Sequence, residues 1–514
     1  IFSAIALFIL LIACINYMNL STARSALRAK EIGIRKVIGA ERKEIITQFL
    51  SESVLITLMA LVLAIIATVA LIPFVNNLSG QHLAFRSLLQ WNVLLPILLL
   101  PFVIGIISGI YPAVFMSSFL PVRVLKGIIK TGSGGISFGK VLVVLQFSIS
   151  IILIVATTVV FQQLQYIQTK ALGFNKDHIV TLDYVNSLGR QFESFKNDLK
   201  KNASIKDIGR SSRIPSGRLL DDQNASLIEG GSLQAVKIDL KYLATDYGFI
   251  PTYGMQMAAG RNFSKEFSTD TNNFVINEMA VKQFGWKNEN AIGRDLQYGN
   301  VKGKIIGVVK DFHFESLHQK IIPLLFSMPS PQNSNFNKMS IKIDGHNPRA
   351  AIQAIQDTWH KYLPETPFNY TFLDEKFGQL YNSEQQQGSL FTIFSCIAIF
   401  IACLGLFGLS AFTITQRIKE IGVRKVLGAS VTQIVRELSK DFLKLVIVAA
   451  FIGLPIAYFV MKKWFLGGFA FHINISWWVL LLAGLLALII AFVTISFQSI
   501  KAAMMNPVKS LRSE

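Results

Sequence analysis

Lys30-Glu31-Ile32-Gly33-Ile34-Arg35-Lys36-Val37-Ile38-Gly39-Ala40 returns 389 residues later as Lys419-Glu420-Ile421-Gly422-Val423-Arg424-Lys425-Val426-Leu427-Gly428-Ala429. The two runs agree at 9 of 11 positions, and the ungapped match reaches back to Ile12 and Ile401 with 15 identities in 29. Each run leaves an apolar stretch, leads into two more, and is followed by a similar tag, Pro121-Val122-Arg123-Val124-Leu125 or Pro507-Val508-Lys509-Ser510-Leu511. The chain is therefore organised by an internal repeat: a unit of three apolar helices with a basic first loop.

Around that repeat the composition is that of a membrane protein. Of 514 residues 52% are hydrophobic and 16% charged, against about 25% charged in ordinary soluble domains. About 20 apolar residues cross a bilayer as a helix, and seven uncharged stretches qualify: 1–20, 53–76, 91–117, 141–161, 388–414, 445–461 and 473–498. The expected fold class is an α-helical integral membrane protein with an inserted α+β extracytoplasmic domain. Its parts are a first three-helix membrane domain (1–130), a linker and fourth helix (131–161), the inserted domain with its stalk (162–387) and a second three-helix membrane domain (388–514). Cys14, Cys396 and Cys403 all fall inside apolar stretches and read as packing residues.

The net charge of +19 is concentrated in four segments, 21–49, 117–140, 415–444 and 499–514, which hold 21 Lys/Arg against 7 Asp/Glu. Lys and Arg beside apolar helices mark the cytoplasmic side, and every alternate loop agrees. This distribution argues against nucleic acid as the partner of the charge. It places 162–387 outside and the C-terminus inside, and leads to the expectation of an eighth helix and further extracytoplasmic sequence upstream of Ile1. The intact protein would then be a pseudo-twofold pair of four-helix units.

Within 162–387, strands are expected near 178–184, 235–240, 303–310, 339–343 and 368–373. Helices are expected near 190–202, 275–284 and 348–362. The ends 162–170 and 374–387, rich in Gln and Glu, would prolong the membrane helices as a stalk. The best metal candidates, Asp311, His313, Glu315 and His318, lack any zinc-protease spacing, and packing is the preferred reading. Gly134-Gly135-Ile136-Ser137-Phe138-Gly139-Lys140 imitates a phosphate loop, but Val141 stands where Ser or Thr would bind magnesium, so it reads as a linker. Pro96, Pro101, Pro112 and Pro455 fall inside apolar stretches, Gly105 and Gly109 suit close helix contact, and Trp91, Trp464, Trp477 and Trp478 suit interfacial anchoring.

None of the seven stretches contains Asp, Glu, Lys, Arg or His, whereas ion-coupled transporters usually place such groups in the membrane. Energy must come from elsewhere. The duplicated runs supply a route: a short amphipathic helix closed by glycine can set its apolar face in a partner's groove. Topology alone would need the charge but not the order of residues.

These runs, and with them Asp246-Tyr247, Gly260-Arg261-Asn262-Phe263-Ser264, Asn277-Glu278, Ile292-Gly293 and Ile306-Gly307-Val308-Val309-Lys310-Asp311-Phe312, resemble the FtsX-like/MacB-type permeases of ABC transporters. The chain is similar to them along essentially its whole length, apart from an absent first helix and first external domain. The resemblance implies that Lys30, Glu31, Gly33, Arg35, Lys36 and Gly39, with Lys419, Glu420, Gly422, Arg424, Lys425 and Gly428, contact a separate, dimeric cytoplasmic ABC ATPase. ATP and magnesium would sit on that partner, and no catalytic residue, cofactor or metal on this chain. It implies a multi-pass protein of the bacterial inner membrane that moves its external domains by mechanotransmission. The work would be efflux or extraction of a peptide, drug or lipoprotein, with a periplasmic adaptor or outer-membrane factor as further partners. The alternative is an ATPase-coupled regulator or scaffold for an extracytoplasmic partner such as a cell-wall hydrolase.

Overall fold

The computed structural model describes residues 2–25, 28–80, 82–118, 138–219, 221–229, 232–236, 238–330 and 336–504. Both terminal tags and most of the glycine-rich linker lie outside them. The first copy of the repeat folds as α1 (Phe2–Ser25), α2 (Ala29–Val37), α3 (Arg42–Ser79) and α4 (Trp91–Ser117). α5 (Phe138–Thr169) precedes the inserted domain, whose principal helices are α6 (Phe192–Lys200), α7 (Glu278–Gln283) and α8 (Pro348–Tyr362). The second copy is α9 (Asn382–Gln416), α10 (Ile418–Val426), α11 (Val431–Val460) and α12 (Trp477–Ala503).

Among the described residues seven helices are long and apolar enough to span a bilayer, from Ser3–Thr22 to Trp477–Ala503. Their starts are written locally. α3 opens on a reciprocal cap between Glu41 and Glu44, and α11 on one between Ser430 and Gln433, each satisfying backbone N–H groups that have no partner in the first turn. The prolines lie inside continuous helices, and the small residues explain the packing. A Cβ at Gly105 would lie 2.8 Å from the Val54 Cα, and one at Gly109 would lie 2.6 Å from the Ser53 Oγ, so α4 seats its glycines directly on α3. α5 joins the second copy: Val143, Phe147 and Ile151 share a core with Leu406, Val446, Ala449, Ala491 and Ile495. Ser148 Oγ donates to the Ala449 carbonyl at 3.1 Å, and Thr157 and Ser395 share a hydroxyl bond at 2.7 Å. α5, α9, α11 and α12 thus form one four-helix unit around that core.

The chain divides into two compact units, one holding the membrane helices and the other comprising Gln165–Ser383 together with Gly467–Ile473. The assignment of residues 388–514 wholly to a membrane domain therefore needs amending, because seven of them belong to the inserted unit. That unit has two sheets. The smaller runs β12-β1-β11-β2, with β1 (Ile179–Asp183), β2 (Ile205–Ser211), β11 (Lys338–Ile343) and β12 (Tyr370–Phe372). α6 and α8 supply its core, where Phe195 and Trp359 meet edge to face. The larger runs β4-β3-β8-β9-β7-β10-β5, with β6 against β9. Its strands are β3 (Ala225–Glu229), β4 (Ser232–Ala235), β5 (Lys241–Ala244), β6 (Met257–Gly260), β7 (Phe274–Asn277), β8 (Asp295–Tyr298), β9 (Val301–Val309) and β10 (Leu324–Ser327).

Three expectations change. The strand at 235–240 resolves into β4 and β5 on either side of it. The helix at 275–284 is β7 followed by α7, with Asn277 capping the helix through the Ala280 N–H. The expected stalk at 374–387 is not one helix, since Leu373–Gln379 is separate from α9.

Candidate functional site

The duplicated runs fold as α2 and α10, two short helices built alike. Each buries one isoleucine: Ile32 packs with Ile45, Phe49, Ala113 and Met116, and Ile421 with Ile414, Ile434, Leu438, Ala502 and Ala503. Two residues past each helix the chain turns at Gly39 (φ 108°) or Gly428 (φ 92°), a left-handed backbone that costs any other residue strain. That turn directs the chain into α3 or α11.

Polar side chains fasten the helices further. Lys36 Nζ donates to the Ser117 carbonyl at 2.6 Å, and Lys425 Nζ to the Ala503 carbonyl at 2.8 Å. In both copies the acceptor is the last residue of the third membrane helix, where carbonyls lack intrahelical partners and the helix dipole favours a cation. Burial there, with Arg42 nearby, holds Lys36 below its ordinary pKa. Arg28 Nη1 pairs with Glu52 at 2.9 Å, and Arg417 with Asp441 at 3.7 Å, which ties the entry of each helix to the following one. Arg35 bonds Glu31 and Arg424 bonds Glu420, each at 2.8 Å along its own helix, and Arg35 also reaches Gln48 at 2.7 Å.

The outward surface is the same in both copies. Ile34, Val37 and Ile38 are 50%, 64% and 80% exposed, and Val423, Val426 and Leu427 are 49%, 64% and 80% exposed. Positions i, i+3 and i+4 share a helix face, so each helix presents an apolar ridge with a guanidinium and a carboxylate beside it. Sequence reasoning singled out the run but not the division of labour within it. Lys36 and Lys425 are turned inward as fasteners, Gly33 and Gly422 belong to the helices, and the side chains of Lys30 and Lys419 lie outside the described residues. Arg28, Arg417, Glu52 and Asp441 were missed. The signal was available, because Arg28 and Arg417 are identical in the repeat and the two acids stand 389 residues apart.

In the inserted unit the four candidate metal ligands do not converge. Asp311 accepts from the Met279 N–H, Glu315 from the Leu219 N–H, His313 packs on Phe471 and His318 stacks on Phe469. The four candidate metal ligands are thus committed to separate structural partners, and no group of three His, Cys, Asp or Glu among the described residues could hold a metal. The charged core is structural in the same way. The Arg210 guanidinium lies 3.7 Å from the Phe192 ring centroid and bonds Asp246 at 3.1 Å and the Tyr184 hydroxyl at 3.0 Å. Burial raises Asp246 above the usual carboxylate range although Arg210 and Lys196 oppose the shift. Lys196, lowered by burial, donates to the Ile208 carbonyl at 2.9 Å.

Comparison with known proteins follows the same division. The FtsX-like permease C-terminal family matches residues 3–121 and again 392–507. The chain is 35% identical over 117 residues to an uncharacterized ABC transporter permease, YknZ, of Bacillus subtilis, a match covering 23% of this chain and 28% of that one. It is 34% identical over 125 residues to the macrolide export ATP-binding/permease protein MacB of Campylobacter jejuni, covering 24% of this chain and 19% of that one. These matches span less than a third of either relative. The solved periplasmic region of MacB from Actinobacillus actinomycetemcomitans aligns with 41% of this chain and 95% of its own, at a TM-score of 0.29 and 17% identity.

Proposed function

We propose that this multi-pass chain, whose two membrane copies match the FtsX-like permease model, is a permease that couples ATP hydrolysis on a separate cytoplasmic ABC ATPase to movement of its inserted domain. The observation that carries the reading is the identity of the two platforms. An exposed apolar triplet on a helix fastened at three points occurs at Ile34, Val37 and Ile38 and again at Val423, Val426 and Leu427. Lipid-facing or incidental exposure would not require the same fasteners in both copies. A twofold partner would, since a dimeric ATPase offers one groove to each helix. ATP and magnesium belong on that partner. The cargo class is a peptide, a drug or a lipoprotein, exported or extracted at the outer face, with adaptors or an outer-membrane factor as further partners.

Purification of the full-length protein from its native membrane in mild detergent, with mass spectrometry for a Walker-motif ATPase, tests this directly. The expected result is an ATPase near two copies per doubled permease, lost when Ile38→Asp is combined with Leu427→Asp. Retention of the ATPase by that double variant, or its absence under conditions that preserve a known ABC complex, would overturn the reading. Recovery of a cell-wall hydrolase with the external domain would convert the proposal from export to regulation.

A further inference from the structure

The inserted unit is joined to the rest of the chain at four points, not the two that an inserted domain needs. Besides the connections near residues 165 and 383, the segment Gly467–Ile473, which links α11 to α12, belongs to it. This segment is bound there by both main chain and rings. The Ala470 and Phe471 N–H groups donate to the His318 and Leu317 carbonyls, each at 3.3 Å. The buried Phe469 ring stacks on His318 with centroids 4.1 Å apart. Phe471 stands edge-on to His313 at 4.5 Å and receives the Lys170 ammonium over its face at 4.9 Å. The receiving strip is itself braced: the Leu317 N–H donates to the Tyr381 hydroxyl at 2.9 Å, and Ser316 Oγ bonds His318 Nδ1 at 2.8 Å.

The corresponding loop of the first copy, around 80–90, belongs to the membrane unit. The second loop also begins differently. α11 ends in a wide turn, Met461–Phe465, that includes Lys462, Lys463 and the 81% exposed Trp464. Turns of this class inside helices recur at functional positions. Stacked Trp477 and Trp478 open α12 on the other side, with centroids 3.9 Å apart. Aromatic and Lys side chains there are the usual interfacial anchors, so the segment has anchored feet and a clasped tip.

We propose that Phe469 and Phe471 form a clasp that makes the α11–α12 loop a second mechanical link, holding the inserted domain to the membrane helices independently of the connections through α5 and α9. Two covalent connections at neighbouring points act as a hinge and leave the domain free to rock. A third attachment from a different helix pair removes that freedom, so displacement of α11 and α12 must be followed by the strip Asp311–His318. The source of such displacement rests on the proposed ATPase coupling, but the restraint itself does not and can be measured without nucleotide.

The experiment uses the full chain in nanodiscs with Cys14, Cys396 and Cys403 replaced by Ala. Spin labels are placed at the exposed Lys265 and Gln90, and the distance distribution between them is read by pulsed electron resonance. Phe469→Ala with Phe471→Ala is expected to widen the distribution about twofold, whereas Phe469→Tyr keeps it narrow. A second variant protects the test against loss of fold. Six Gly/Ser residues inserted on each side of 467–473 leave the ring contacts intact but slacken the link, and they should widen the distribution equally. A wild-type width in either loosened variant overturns the proposal, and it does so whether or not an ATPase partner is ever found.

Discussion

Asn16 of α1 lies directly against Gly405 of α9, the residue that occupies its own place in the second copy of the repeat. Asn16 Nδ2 donates to the Ile401 carbonyl at 3.2 Å, and a Cβ at Gly405 would come 2.8 Å from Asn16 Oδ1 and 3.2 Å from Gln146 Nε2. Asn16 and Gly405 hold equivalent places in the repeat, so this contact brings the two copies together inside the membrane unit. The sequence pairing of Asn with Gly is then steric: one side must supply no side chain for the other to fit.

Gly405→Asn should therefore disrupt the crossing, lowering the thermal midpoint of the detergent-solubilised protein by several degrees, as overpacking of about 1–3 kcal/mol would. Combining it with Asn16→Gly, which moves the vacancy to the opposite helix, should restore more than half of the loss. A double variant no better than Gly405→Asn alone would show that the two positions do not face each other.

If α2 and α10 have the proposed coupling role, their fastening predicts a separation of docking from transmission. Lys36→Met with Lys425→Met removes the bonds to the Ser117 and Ala503 carbonyls but leaves the exposed ridge. The ATPase should still co-purify, while ATP hydrolysis stimulated by the permease falls at least about fivefold. Arg35→Glu with Arg424→Glu instead places like charges beside Glu31 and Glu420 on the proposed docking face and should weaken co-purification itself. Equal effects of the two pairs on binding would contradict the division of roles.

His313 titrates low, at about 4, because it is buried and faces the Lys170 ammonium. A histidine depressed in the folded state contributes stability that is present above its unfolded value near 6.5 and is lost as pH falls towards 4. The unfolded chain binds the extra proton across that window, so unfolding becomes easier as pH drops. The change is on the order of 2–3 kcal/mol across the window. Urea or thermal unfolding of the full chain between pH 7 and 4 should show this slope, and His313→Gln should flatten it.

Removing one partner of a buried ion pair leaves the other charge uncompensated, at a cost of about 3–5 kcal/mol. Arg210→Leu should therefore destabilise the inserted unit strongly and abolish exchange protection in β2 and β11. Asp246→Asn, which keeps a hydrogen-bond acceptor for the guanidinium and removes a carboxylate already raised by burial, should cost distinctly less. The ranking, read by hydrogen exchange on the full chain, is the prediction.

Much of this architecture was legible because its signals are local or repetitive. Apolar length locates seven spans without reference to tertiary contacts, and the 389-residue offset exposes the duplication. In the inserted domain, α8 was readable from the Asn347 cap, Pro348 and an apolar face at Ala351, Ile355 and Trp359. β2, β6, β7 and β10 were not, since their partners lie far along the chain, and the short β3 and β8 were missed although each pairs with the strand that follows it. β10, for example, lies between β7 and β5.

The sequence by itself determined the membrane class, the repeat and the two platforms, because hydrophobic length, charge beside helices and a duplicated run are properties of the chain read in order. Only the tertiary structure decided which members of each run face outward, that Lys36 and Lys425 fasten while Ile38 and Leu427 protrude, and that Phe469 and Phe471 leave the membrane repeat to grip His318 and His313. These outcomes depend on which surfaces remain uncovered once helices and sheets have packed, and packing between residues hundreds of positions apart leaves no local mark.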